Sequence, residues 1–118
     1  MPLTRGDIVL VQFPYSSGTG SKLRPALVVQ PDHNNRRLTN VILAPITTTI
    51  QRAVEPTQFL VDASSAVGKA AGLRHTPVVS CENLTTVAQP LVRRRLGHLP
   101  QDAMDQVNQC LKSALGIP

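Results

Sequence analysis

Ala26-Leu27-Val28-Val29-Gln30 lies between Pro25 and Pro31, so a short, largely apolar run is closed by a proline on each side. Five such residues are too few for an ordinary helix, and their composition favours a strand. Proline lacks the amide hydrogen that a sheet requires, and it is therefore expected at strand ends. The stretch predicts a β-strand.

The same pattern recurs along the 118-residue chain. Further strands are predicted at Ile8–Phe13, Val41–Ala44, Phe59–Val61 and Val78–Ser80. The prolines expected at the ends of these runs are Pro14, Pro25, Pro31, Pro45, Pro56 and Pro77. Most connections are too short for a crossover helix, so neighbouring strands should be antiparallel. We predict a mainly β (α+β) fold, a small antiparallel β-barrel formed by one domain spanning residues 1–118.

The C-terminal segment has helical periodicity instead. Apolar side chains recur at helical spacing in Met104, Val107, Leu111 and Leu115. Pro100 suits the first turn of a helix and Gly116 suits the position just after its end. We predict a helix from about Pro100 to Leu115 that packs on the barrel.

Three polar segments are predicted to be loops. Tyr15–Leu23 is long for a hairpin connection, and such loops are often functional. His33–Asn40 and Ala63–Arg74 are interpreted as ordinary surface loops.

Charge and composition limit the possible partners and the location. The formal net charge of +5 favours a polyanionic partner, either nucleic acid or an acidic protein segment. Because there is no signal-peptide pattern and no apolar run long enough to span a bilayer, we expect a cytoplasmic protein without a membrane partner. Cys81 and Cys110 lack neighbouring Cys or His at ligand spacing, so they are interpreted as buried, reduced thiols.

Several nuclease chemistries are disfavoured by the pattern of acids and glycines. A two-metal site needs clustered carboxylates, whereas the seven acidic residues are scattered along the chain and only two of them, Asp102 and Asp105, share a predicted element. The Gly-Thr-Gly of the first loop lacks the spacing and the terminal Lys-Ser/Thr of a phosphate-binding P-loop. We therefore expect neither a metal nor a cofactor.

A metal-free ribonuclease needs only positioning, proton transfer and positive charge, because the substrate's own 2′-hydroxyl is the nucleophile. Arg24, at the end of the long loop, and Thr47, at the end of a strand, could supply charge and a hydroxyl. From the pattern alone, a solvated loop-end arginine and an ordinary strand-end threonine are the favoured interpretations.

Several motifs occur in the order found in one family. The segments are Arg5–Val9, Arg24–Val29, Val41–Thr47, Glu82–Thr86, Leu96–Leu99 and Met104–Val107. With these motifs in register over nearly its whole length, the chain resembles the MazF/PemK toxins of type II toxin–antitoxin systems.

The resemblance implies an SH3-like barrel with a C-terminal helix, forming a homodimer. It implies a sequence-selective, ribosome-independent endoribonuclease that cleaves single-stranded mRNA to 2′,3′-cyclic phosphate and 5′-hydroxyl ends. The family's catalytic arginine and threonine fall on Arg24 and Thr47, while the general base stays unassigned. The implied partners are RNA and a MazE/PemI-like antitoxin, with DNA binding in the antitoxin complex and growth arrest as the outcome.

Candidate RNA-binding residues surround this pair. They are Phe13, Tyr15, Ser17, Lys22, Glu82, Asn83 and Arg94. Phe13 and Tyr15 could stack on bases, and Glu82 could accept from a base edge, although a solvated acid is an equally open interpretation. The sequence departs from the family pattern at Asn83 and Thr85, where the family has Gln and Arg, so the target sequence cannot be transferred.

Two rival functions remain open at this stage. The same barrel occurs in CcdB-type toxins, which bind DNA gyrase without catalysis, but such a binder has no use for a phosphate-clamping pair. An inactive homologue that only binds antitoxin is the other alternative. If Arg24 and Thr47 are not the site, the histidines His33, His75 and His98 become the next candidates for acid–base catalysis.

Overall fold

The structure, a computed structural model, describes residues 2–14, 18–48, 55–62, 65, 68–69 and 77–118. A seven-stranded antiparallel sheet and a long C-terminal helix dominate this part of the chain. The strands are β1 (Asp7–Pro14), β2 (Ser21–Val28), β3 (Asn40–Thr48), β4 (Gln58–Leu60), β5 (Pro77–Ser80), β6 (Thr85–Ala88) and β7 (Val92–His98). The helices are α1 (Asp32–Arg37) and α2 (Gln101–Leu115), and two 3₁₀ turns are formed by Cys81–Asn83 and Gln89–Leu91. Neither described α-helix has the length and apolar character needed to cross a membrane.

All five predicted strands are present, but two of them extend further than predicted. β2 begins at Ser21, inside the segment predicted as a loop, and β3 continues to Thr48. Pro25 and Pro45 therefore lie inside strands, which corrects the expectation that these prolines mark strand ends. Pro45 sits where β3 stops pairing with β2 and starts pairing with β5, so its missing amide hydrogen interrupts neither ladder.

Sequence periodicity missed three elements. β6 and β7 carry polar or charged residues at most positions, and β7 contains the basic run Arg93–Arg95. The segment His33–Asn40 was wrongly predicted as a loop, since α1 covers most of it. At six residues α1 is too short to show a helical period. It is held by Asn35, whose side chain donates to the Gln30 carbonyl oxygen at 3.0 Å.

The strand order is β4-β5-β3-β2-β1-β7, with β6 paired to the other half of β3. Every ladder is antiparallel, as predicted. Over the described residues the sheet curls without a ladder that would close it between β4 and β7. The predicted mainly β fold with a C-terminal helix is confirmed, and the sheet is an open form of the barrel.

The two faces of the sheet bury separate cores, because successive strand residues point to opposite sides. One core lies between the sheet and α2, where Met104, Val107 and Cys110 pack against strand residues such as Ile8 and Leu27. The other fills the concave side with Val9, Val11, Ala26, Val28, Val41, Leu43, Val87 and Val92. Each fully buried Val, Leu, Ile or Met contributes roughly 1.5–3 kcal/mol. The two cores thus decide which side chains of each strand are buried and which stay exposed for a site.

The start of β1 is joined to the rest of the fold by buried polar contacts. The Asp7 carboxylate, with 2% of the side chain exposed, accepts from the Thr4 amide at 2.9 Å. It also accepts from Arg95 Nε at 3.0 Å and lies 2.9 Å from His98 Nδ1. Arg5 Nη2 donates to Asn108 Oδ1 at 2.7 Å, which links this region to α2.

Candidate functional site

Arg24 is the fourth residue of β2, not the last residue of a loop as predicted. It pairs with Val11 of β1, and its side chain is exposed. Lys22, two residues earlier, pairs with Phe13 and is also exposed. Residues directly opposite each other in an antiparallel ladder share a face. Phe13, Lys22 and Arg24 therefore lie on one face of the sheet, at the end of the concave core against which Phe13 packs.

Thr47 lies one residue before the end of β3, at the strand end where it was predicted. It is half-buried and pairs with Val78 of β5. Its Oγ1 lies 3.3 Å from Oγ of Ser80, and either hydroxyl could be the donor. Ser80 is only 3% exposed. The threonine hydroxyl thus has a buried polar neighbour on one side and solvent access on the other.

The register of β2 and β3 relates Arg24 to Thr47. The ladder pairs Val28 with Leu43, Leu27 with Ala44 and Ala26 with Pro45. The ladder ends at the pair of Ala26 and Pro45, and Arg24 and Thr47 each lie two residues beyond that pair on their own strands. Both also share the strand parity of Ala26 and Pro45, so both belong to the concave face. A guanidinium and a hydroxyl on adjacent strands of one face can bind the same phosphate group.

Glu82 and Asn83 belong to a 3₁₀ turn between β5 and β6, rather than to the strand that the resemblance implies. Glu82 Oε1 accepts from Thr57 Oγ1 at 3.2 Å, and its Oε2 accepts from Gln58 Nε2 at 2.9 Å. Gln58 pairs with Ser80 across β4 and β5. Glu82 is thus an exposed carboxylate held by two donors, which orient it at the β4 edge of the sheet.

Among the remaining predicted RNA-binding residues, Arg94 is separated from this group. Tyr15 and Ser17 lie outside the described residues. Arg94 pairs with Leu10 of β1, on the opposite face of β1 from Val11 and Phe13. Its neighbours in the basic run are engaged, because Arg93 donates to Gln12 Oε1 and Arg95 donates to Asp7. In the described part of the chain, Arg94 is the exposed arginine of this run that has no such partner.

The two described histidines, His33 and His98, are also placed apart from Arg24 and Thr47. His98 ends β7 beside Asp7, and His33 is exposed on α1. His75 lies outside the described residues. Among the described residues, no three side chains of His, Cys, Asp or Glu form a group that could hold a metal ion. The expectation that the reaction uses no metal stays a prediction.

Cys81 and Cys110 are buried free thiols, as predicted. Burial raises the pKa of the Cys81 thiol to about 12, with the neighbouring Cys110 and Glu82 adding to the rise. A thiol with so high a pKa is neutral near pH 7 and a poor nucleophile. Both side chains therefore act as core residues beneath the 3₁₀ turn.

Sequence reasoning missed Thr57, Gln58 and Ser80. Each is a single polar residue without a motif of its own, and strand pairing alone brings Gln58 and Ser80 beside each other. The one sequence feature that could have pointed to these residues was Ser80 itself, a polar residue that ends an apolar run.

The pattern of residues along this fold agrees with one family. A model of the PemK-like, MazF-like toxins of type II toxin–antitoxin systems matches residues 4–115. The chain belongs to this family. The match includes every element from β1 to α2, so the resemblance found in the sequence is confirmed.

Individual family members agree in sequence and in fold. The chain is 30% identical to endoribonuclease EndoA of Bacillus subtilis (strain 168), over 99% of this chain and 97% of that protein. A mycobacterial endoribonuclease solved in complex with its cognate antitoxin is 25% identical, with a TM-score of 0.77 over 98% of this chain and 97% of that one. The Mycobacterium tuberculosis toxin MazF-mt6 is 28% identical, with a TM-score of 0.74 over 95% and 98% of the two chains. Family and relatives together make this chain a toxin-family endoribonuclease.

Proposed function

We propose that this endoribonuclease cuts single-stranded mRNA at short target sequences, without a metal and without the ribosome. The 2′-oxygen would bond to the adjacent phosphorus while the bond from phosphorus to the 5′-oxygen breaks. The 2′-hydroxyl proton leaves to a base that stays unassigned, and the 5′-oxygen takes up a proton. The products are a 2′,3′-cyclic phosphate and a 5′-hydroxyl.

The observation that supports the proposal is that Arg24 and Thr47 lie on the adjacent strands β2 and β3, each two residues beyond the last pair of the ladder that joins these strands. Arg24 would bind two phosphate oxygens through its planar fork and stabilise the charge that develops in the transition state. Thr47 would donate its hydroxyl proton to a phosphate oxygen and hold the scissile group in place. Arginine resists deprotonation, so the proposal gives Arg24 no role as a base.

The surrounding residues would bind the strand on either side of the cut. Phe13 would stack on a base and Lys22 would pair with a backbone phosphate, since both lie on the face of Arg24. Glu82, oriented by Thr57 and Gln58, would accept a hydrogen bond from a base edge. Asn83, Tyr15 and Ser17 are retained as candidates for base reading.

Arg94 would act differently from this group. It points away from Phe13, so it would contact the RNA backbone outside the catalytic face or bind an acidic antitoxin segment.

We also propose a homodimer that is inhibited by a cognate MazE/PemI-like antitoxin. The mycobacterial relative solved with its cognate antitoxin supports that partner. Binding of DNA by the antitoxin complex, arrest of growth, and a cytoplasmic location where mRNA is available belong to the same proposal.

The test is to incubate the purified protein with a long single-stranded RNA in excess EDTA and to map the new ends. Arg24→Ala should lower the cleavage rate by about 10²–10³-fold, as expected for loss of a preorganised charge donor. Arg24→Lys should restore little, because a point charge does not reproduce the planar fork. Thr47→Ala should be similarly slow, whereas Thr47→Ser should keep much of the rate.

The matched control is Arg36→Ala, which removes the same charge from an exposed position at the end of α1. It should cut RNA at the wild-type rate. Near wild-type cleavage by both Arg24→Ala and Thr47→Ala would show that the site is wrong. A wild-type protein that cuts no RNA would favour a non-catalytic toxin or an inactive homologue.

A further inference from the structure

We propose that Ser80 is a positioning residue for the Thr47 hydroxyl. The inference rests on the proposed function, in which Thr47 donates to the scissile phosphate. It extends the site from β3 into β5, to a residue that the sequence does not single out.

The hydroxyl of Ser80 has little choice of partner. Ser80 is 3% exposed, and a buried hydroxyl without a hydrogen bond is costly. It precedes the 3₁₀ turn of Cys81–Asn83 but makes no side-chain capping bond to it. Its neighbours along β5 are the buried, apolar Val78 and Val79. Thr47 Oγ1 lies at 3.3 Å, and the proposal assigns the donor role in this contact to Ser80.

Thr47 is in the opposite situation. It is half-buried, and its hydroxyl can face either Ser80 or a phosphate on the open side. A hydroxyl has one proton and two acceptor lone pairs. When Ser80 donates to Thr47 Oγ1, the Thr47 proton stays free for a phosphate oxygen. A chain of two hydroxyls also polarises the terminal donor.

The backbone holds this geometry on both sides of Ser80. Val79 pairs with Ile46, while Ser80 itself pairs with Gln58 of β4. The amide of Cys81 donates to the Thr57 carbonyl oxygen at 3.0 Å. Ser80 is therefore held by its own pairing with β4, by the pairing of the preceding Val79 with β3, and by the start of the turn. A fixed donor beside a stiff, β-branched threonine is what preorganises a catalytic hydroxyl.

The main variant is Ser80→Ala, which removes the donor and leaves only a small void. It should lower kcat by about 10-fold while KM for a short RNA substrate stays within about two-fold, because the contact acts on orientation rather than on RNA binding. Ser80→Thr keeps the hydroxyl and should cut RNA faster than Ser80→Ala. The control is Val79→Ala, which truncates the residue directly before Ser80 in β5, on the opposite face of the strand. It should lower the Tm more than Ser80→Ala does and leave kcat near the wild-type value.

The deciding measurement is a double-mutant cycle with Thr47→Ala. If Ser80 acts through Thr47, the double variant should cut RNA at the rate of Thr47→Ala alone. An equal 10-fold loss in both backgrounds, or a kcat loss in Val79→Ala that matches that of Ser80→Ala, would overturn the positioning role. A wild-type rate in Thr47→Ala would instead refute the proposed site itself, and the inference with it.

Discussion

Removing the buried carboxylate of Asp7 is expected to destabilise the protein by about 3 kcal/mol. Asp7→Ala deletes the acceptor shared by the Thr4 amide, Arg95 Nε and His98 Nδ1, all within 3.0 Å. These contacts join the first strand to the last strand and to the residues that precede β1. Neither Arg24 nor Thr47 contributes to these contacts.

The magnitude follows from the exposure of the three partners. A hydrogen bond to a charged group contributes about 1.5–3 kcal/mol when it is well shielded. The Arg95 and His98 side chains are 44% and 50% exposed, so in the variant water replaces much of the hydrogen bonding that they lose. We therefore assign about 1 kcal/mol to each of the three contacts, which sum to about 3 kcal/mol. For a domain of this size the corresponding decrease in Tm is about 12 °C.

The assay is thermal and urea unfolding of the wild-type protein and of Asp7→Ala, followed by circular dichroism in the same buffer. The matched control is Asp32→Ala, since Asp32 Oδ1 accepts from the Arg5 amide at 2.7 Å in an exposed position. That variant should lose under about 1 kcal/mol. A Tm for Asp7→Ala within about 3 °C of the wild-type value would refute the reasoning. It would mean that the free-energy cost of burying the Asp7 carboxylate is as large as the stabilisation from its three contacts.

Four further outcomes are expected. RNA cleavage should persist in excess EDTA, and loss of activity with rescue by magnesium would contradict the metal-free mechanism. The protein should sediment as a dimer at micromolar concentration, and a monomer would contradict the proposed homodimer. Arg94→Ala should weaken RNA binding and flatten its dependence on salt, with cleavage of bound RNA almost unchanged. Because the pKa of Cys81 is raised from 9.0 to about 12, unfolded chains lose the thiol proton first. The free energy of unfolding should therefore fall as the pH rises from 9.0 towards 12, and less steeply in Cys81→Ala, which pH-dependent urea titrations would measure.

Much of the fold was predictable because its strongest signals are local. The apolar run of β1 and the helical period of α2 each indicate one buried face, because buried positions are occupied by apolar residues. The catalytic candidates Arg24 and Thr47 came from family motifs that are contiguous in sequence. Neither kind of inference needs a contact between distant residues.

Other elements could not be predicted, since their reasons lie elsewhere in the molecule. Arg93 and Arg95 are compatible with a strand because Gln12 and Asp7 of β1 accept their hydrogen bonds. Pro45 is tolerated inside β3 because the strand changes partners at that point. The helix α1 depends on the pairing of Asn35 with Gln30. In each case a partner that is remote or outside the element overrides the local preference.

The sequence by itself determined that this chain is a mainly β member of the PemK-like, MazF-like toxins, with a terminal helix. Hydrophobic periodicity and the order of the motifs can be read directly from the amino-acid sequence. Only the tertiary structure decided that Arg24 shares a face with Phe13, that Arg94 does not share that face, and that Ser80 lies beside Thr47. The physical reason is strand register: a shift of one residue reverses the face of every side chain, and register is set by how the whole sheet packs.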